Sequence, residues 1–90
     1  MGNPIPTKIK FKHYVKAIEI IAQQKNQIVA CTNGSGSARR FDLFLKETDK
    51  IPAKMWTAHE DKVVWTGDLK KACDNLGVNK KDFEKLAQSL

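Results

Sequence analysis

The sequence contains no long hydrophobic run, and nothing in it approaches the length of a membrane span. No charged, apolar and small-residue succession of the secretory type opens the chain, so it does not read as a secreted precursor. There are only two cysteines, Cys31 and Cys73, each inside an apolar pattern that suits a small buried hydrophobe. His13, Cys31, His59 and Cys73 are scattered, without CxxC or HxxxH spacing, which argues against a metal site. Gly-Lys-Ser/Thr is missing, and no glycine cluster sits between a strand and a helix. Neither a P-loop nor a dinucleotide fingerprint is therefore expected, and no cofactor is implied. These absences predict a cytoplasmic protein with reduced thiols.

One further scarcity is local. Residues 1–41 contain a single acid, Glu19, against seven lysines and arginines, whereas residues 42–90 hold nine of each sign. The whole net charge of +6 therefore resides in the first half. Such an excess fits a polyanionic partner, nucleic acid first, or a solvated basic surface. Ninety residues support one domain with a thin core. Residues 1–7, with Pro4 and Pro6, are expected to form a loose arm, and 8–90 the domain.

The periodicities are clear enough to order the elements. Phe11, Val15, Ile18 and Ala22, with Tyr14 and Ile21 beside them, form one face of a helix from Phe11 to about Gln24. Gln27–Thr32 is rich in β-branched residues and reads as a strand. Arg39–Lys46 alternates, with Phe41, Leu43 and Leu45 on one face and Ala38, Arg40, Asp42, Phe44 and Lys46 on the other. These two runs are expected to pair as a hairpin. Ala53–His59 is a third strand, with Trp56 and Ala58 facing away from Met55, Thr57 and His59. After a connector at 60–65, Thr66 is the expected N-cap of a helix bearing Leu69, Ala72, Cys73 and Leu76, which Gly77 ends. Asn79 caps a last helix with Phe83, Leu86, Ala87 and Leu90 along its apolar edge. The predicted class is α+β, in the order α-β-β-β-α-α, with a three-stranded antiparallel sheet covered on one face by helices. In a domain this small at least one of Trp56 and Trp65 is expected to pack, and the other is a possible base-stacking platform.

The first hairpin turns through Asn33-Gly34-Ser35-Gly36-Ser37-Ala38-Arg39-Arg40-Phe41. Glycines at 34 and 36 permit a turn that brings backbone N–H groups close to an anion. The two arginines add fixed charge suited to phosphate oxygens. Lys8, Lys10 and Lys12 are candidates for longer-range attraction of a nucleic acid. Taken alone, glycine in a hairpin turn is more often geometry than function.

The run Gly36-Ser37-Ala38-Arg39-Arg40-Phe41 resembles the Gly-Ser-His-x-x-aromatic signature of the HicA family of toxins. These are small messenger-RNA-cleaving proteins with a fold like a double-stranded-RNA-binding domain. Thr57-Ala58-His59, Gly67-Asp68-Leu69, Leu76-Gly77-Val78 and Asp82-Phe83 fall where the family has a strand-ending histidine, a helix start, a helix end and a tail helix with an aromatic. The resemblance covers residues 34–90, and the connection from Phe41 to His59 is longer than the family pattern. It implies the toxin of a type II toxin–antitoxin pair, a metal-independent endoribonuclease (mRNA interferase) with a HicB-like antitoxin as partner. Gly36, Ser37, Arg39 and Arg40 would bind RNA, and His59 would be auxiliary.

The resemblance also places the family's catalytic histidine at Ala38. A methyl group neither accepts nor donates a proton, and losing a general acid–base costs on the order of 10²–10⁴ in rate. The chain as written is therefore expected to bind RNA but to be nearly inactive. Ala38 is either a natural loss, leaving a non-catalytic RNA-binding module, or a His-to-Ala replacement that lets a toxic nuclease be produced. The family-like residues on both sides of it favour the replacement, since an abandoned site drifts.

Overall fold

The computed structural model describes residues 5–90. Its elements are β1 (Pro6–Lys10), α1 (Phe11–Gln24), β2 (Ile28–Asn33), β3 (Ala38–Phe44), β4 (Lys54–His59), β5 (Val63–Trp65), α2 (Thr66–Leu76) and α3 (Lys80–Gln88). Strands β2, β3 and β4 form a three-stranded antiparallel sheet in that order, so the expected α+β class and its central sheet are present. Two strands were not anticipated: β1 and β5 pair antiparallel as a small second sheet. The structure thus carries strand β1 from Pro6 onward, within the segment read from sequence as an arm, while residues 1–4 lie outside the described residues.

The sheet has two unlike faces because side chains alternate along each strand. Phe41 and Leu43 of β3 and Trp56 and Ala58 of β4 point to the helices and are buried. Leu45, expected on that face, lies past the end of β3 and is exposed. Helix α1 buries Phe11, Tyr14, Ile18, Ile21 and Ala22 of the stripe that its period foretold, together with Ala17, while Val15 is only partly buried. Leu69, Ala72, Cys73 and Leu76 of α2, Phe83 and Ala87 of α3, Ile9 of β1 and Val64 of β5 complete the core. Burying each large apolar side chain is worth about 1.5–3 kcal/mol. With so few of them, nearly every one is needed.

Tyr14 stands at the centre of this core and is fully buried. Its ring meets Phe41 edge-on at 5.7 Å and Phe83 at 5.8 Å, while Phe41 stacks on Trp56 at 5.3 Å. Its hydroxyl accepts from Trp56 Nε1 at 3.2 Å and donates to the Asp68 carbonyl at 2.9 Å. One phenol therefore links α1, β4 and the first turn of α2. Burial pushes the Tyr14 hydroxyl far above its ordinary pKa, which keeps it a neutral donor. Trp56 is accordingly a packing residue, and Trp65 is half-buried.

The helix ends differ in part from expectation. Trp65, not Thr66, is the N-cap residue of α2, and the Thr66 hydroxyl and N–H both bond the Ile5 carbonyl. Gly77 ends α2 with φ 70°, the left-handed conformation that favours glycine. The Lys25 ammonium reaches the Leu76 carbonyl there, joining the ends of α1 and α2. Asn79 caps α3 as expected, its side chain accepting from the Lys81 N–H at 2.7 Å. Among the described residues, no helix is long and apolar enough to cross a membrane.

Candidate nucleic-acid interface

The β2–β3 turn is held by its own backbone. The Gly34 N–H donates to the Ala38 carbonyl at 2.9 Å, and the Ala38 N–H donates to the Ser35 carbonyl at 3.0 Å. Gly36 has φ 58°, which a side chain would strain, and open space around it. The turn delivers Ala38 into β3 directly opposite His59, the last residue of β4. The Glu60 N–H donates to the Ser37 carbonyl at 2.8 Å and closes the ladder beyond that pair.

His59 is exposed yet held on two sides. Its backbone N–H donates to a carboxylate oxygen of Asp68 at 3.0 Å. Its ring lies against the Ser37 hydroxyl, with Nδ1 2.9 Å from Oγ. The other Asp68 oxygen faces Lys71 Nζ at 3.6 Å, and that ammonium also donates to the Thr57 carbonyl at 3.3 Å. Asp68 is itself placed by Tyr14 through its carbonyl, so the aromatic core sets the height of α2 against β4. Ala38, Thr57, Ala58, His59, Asp68 and Lys71 line a shallow hollow of about 170 Å³. Within it, the methyl of Ala38 offers no proton-transferring atom, while an imidazole, a carboxylate and an ammonium share the lining.

The two arginines part company. Arg40 is exposed on the open face, between Thr32 and Thr57, and its Nε bonds Asp42 at 3.0 Å. Arg39 points to the other face. It donates to the Ala38 carbonyl at 2.9 Å and the Gly36 carbonyl at 3.3 Å, and it ion-pairs with Glu60. Arg39 therefore braces the turn and the β3–β4 connection, a role its alternation along β3 makes necessary. The lysines expected to assist are elsewhere. Lys8 and Lys10 lie on β1 and Lys12 on the first turn of α1, all three are exposed, and none lines the hollow.

Asp68 and Lys71 were absent from the sequence-derived site. Asp68 lies in the first turn of α2, where any carboxylate suits the helix dipole. Nothing local signals that α2 docks on the free edge of β4. Cys73 is buried in the core with its thiol pushed up to about 11 by desolvation. Cys31, expected to be buried, is exposed near the end of β2, and partial desolvation still raises its thiol. Neither has the depressed pKa of an activated nucleophile.

The open face changes character along its length. Ser37, Ala38, His59, Arg40, Thr32 and Thr57 make its polar end, and the register places Ile28, Phe44 and Met55 at the other. Compared with protein-family models, curated proteins and solved structures, the chain matched none of them.

Proposed function

We propose that this chain is a HicA-like toxin subunit of a type II toxin–antitoxin pair, of the double-stranded-RNA-binding-domain type, acting on messenger RNA in the cytoplasm. Its active form is a metal-independent endoribonuclease, and the chain as written is an RNA-binding, nearly inactive form. The observation that carries this reading is the surroundings of Ala38. The least reactive side chain of the turn stands opposite His59, at the edge of a hollow furnished with Asp68 and Lys71. His59, Asp68 and Lys71 share the lining of that hollow with the methyl of Ala38.

In the active form a histidine at position 38 moves a proton to or from the ribose, and the 2′-hydroxyl restricts the substrate to RNA. Arg40 is the phosphate contact, since it alone of the arginine pair shares the face of position 38. Arg39 acts by holding the turn. The lengthened connection between Phe41 and His59 falls in the 45–53 loop, at the end of the sheet remote from Ala38. A HicB-like antitoxin covers the open face, where the exposed Ile28 and Met55 beside Phe44 supply an apolar foothold next to the basic end.

The experiment is Ala38→His. The variant is expected to cleave RNA in vitro and to arrest growth when expressed without antitoxin. A variant that folds, binds RNA and cleaves nothing favours the second reading, a non-catalytic RNA-binding module with Ala38 natural.

A further inference from the structure

We infer that His59 is a second acid–base group of the cleavage reaction, paired across the β3–β4 ladder with a histidine at position 38. The inference rests on the ribonuclease reading above and names a residue which that reading leaves as auxiliary. Ala38 and His59 are direct cross-strand partners, and both side chains lie on the open face. Opposed Cβ atoms in an antiparallel pair stand about 4.5–5.5 Å apart. Two imidazoles rooted there reach either side of one phosphodiester.

The His59 ring is not a free surface rotor. Ser37 Oγ lies 2.9 Å from its Nδ1, and its main chain is pinned by Asp68. The charged groups around it come from three elements. Asp68 and Lys71 face it from α2 across the hollow, Arg40 lies along the same face of β3, and Glu60, next in the chain, is engaged by Arg39. The ring is thus oriented, solvent-accessible and next to the phosphate-binding arginine. A structural histidine in a core meets none of these conditions together.

The chemistry balances without a co-reactant. One imidazole takes the proton of the ribose 2′-hydroxyl as the 2′-oxygen forms a bond to phosphorus. The bond from phosphorus to the 5′-oxygen breaks, its electron pair leaves on that oxygen, and the second imidazole supplies the proton. The products are a 2′,3′-cyclic phosphate and a 5′-hydroxyl end, and the two rings have exchanged protonation states. One ring must start neutral and the other protonated, so the rate rises and then falls with pH.

The test compares pH–rate profiles for a short RNA with Ala38→His and with the double variant Ala38→His/His59→Gln. Glutamine keeps a side-chain amide near Ser37 but transfers no proton, and melting curves confirm that both variants fold. The single variant is expected to give a bell. The double variant is expected to lose about 10²-fold or more in rate and one limb of the bell. A rate unchanged, or lowered with both limbs intact, overturns the pairing and leaves the ribonuclease reading standing. A silent Ala38→His overturns the ribonuclease reading, and the pairing with it.

Discussion

Replacing Tyr14 with phenylalanine removes one oxygen atom and tests how the core positions the site. The hydroxyl is the acceptor for Trp56 Nε1 at 3.2 Å and the donor to the Asp68 carbonyl at 2.9 Å. Both of its neighbours lie at or near the core, so the variant leaves the indole N–H without its partner. Stranding a buried donor costs about 1–3 kcal/mol, and the Asp68 carbonyl, near the helix surface, can turn to water. We therefore expect Tyr14→Phe to destabilise by about 2 kcal/mol. For a domain of this size each kcal/mol lowers Tm by about 4–8 °C, so the shift is on the order of 10 °C. Urea titration followed by tryptophan fluorescence gives the free energy directly. A cycle with Trp56→Phe supplies the control. Once the indole N–H is gone, Tyr14→Phe should cost less by about 1 kcal/mol. A loss below about 0.5 kcal/mol in the parent background, or no coupling in the cycle, refutes the claim that this phenol joins β4 to α2.

The other expectations concern the turn, the charges and the thiols. Gly36→Ala should cost about 1 kcal/mol in a denaturation curve, wholly from its left-handed backbone, because the space around it is open. Arg40→Ala should weaken RNA binding and lower the salt slope by about one, whereas Arg39→Ala should lower Tm and leave that slope unchanged. Equal effects of the two on the slope contradict the assignment of the arginines to opposite faces. Cys31 is exposed and should react with a disulfide reagent in the native protein, whereas Cys73 should react only on unfolding. The Cys73 thiol, raised to about 11, favours the folded state fully below its ordinary value near 9. That contribution should fade as pH rises from about 9 through 11, and Cys73→Ala should remove its share of the alkaline loss.

Much of the architecture was legible because its signals are local. A six-residue apolar stripe marked α1, alternation gave the faces of β3 and β4, and Gly77 and Asn79 marked the break between α2 and α3. Strands β1 and β5 were not legible. One is lysine-rich and begins at a proline, the other has three residues, and their pairing joins segments more than fifty residues apart. The site was half legible. The turn stood out by composition and His59 only through the family resemblance, while Arg39 and Arg40 looked alike until alternation separated them. Asp68 and Lys71 enter only through the docking of α2 on β4, which Tyr14 secures from a third element. Tertiary placement of this kind leaves no trace in periodicity, since the same helix face would serve any neighbouring strand.

The central claim is that position 38 is a catalytic position occupied by a side chain that cannot transfer a proton. Its most direct measurement is the single-turnover cleavage rate of one RNA by the chain as written and by Ala38→His, at equal protein concentration and without divalent metal. The account predicts a rate on the order of 10²–10⁴ higher for the histidine variant, with cyclic phosphate and 5′-hydroxyl ends. Equal rates for the two folded proteins would contradict it.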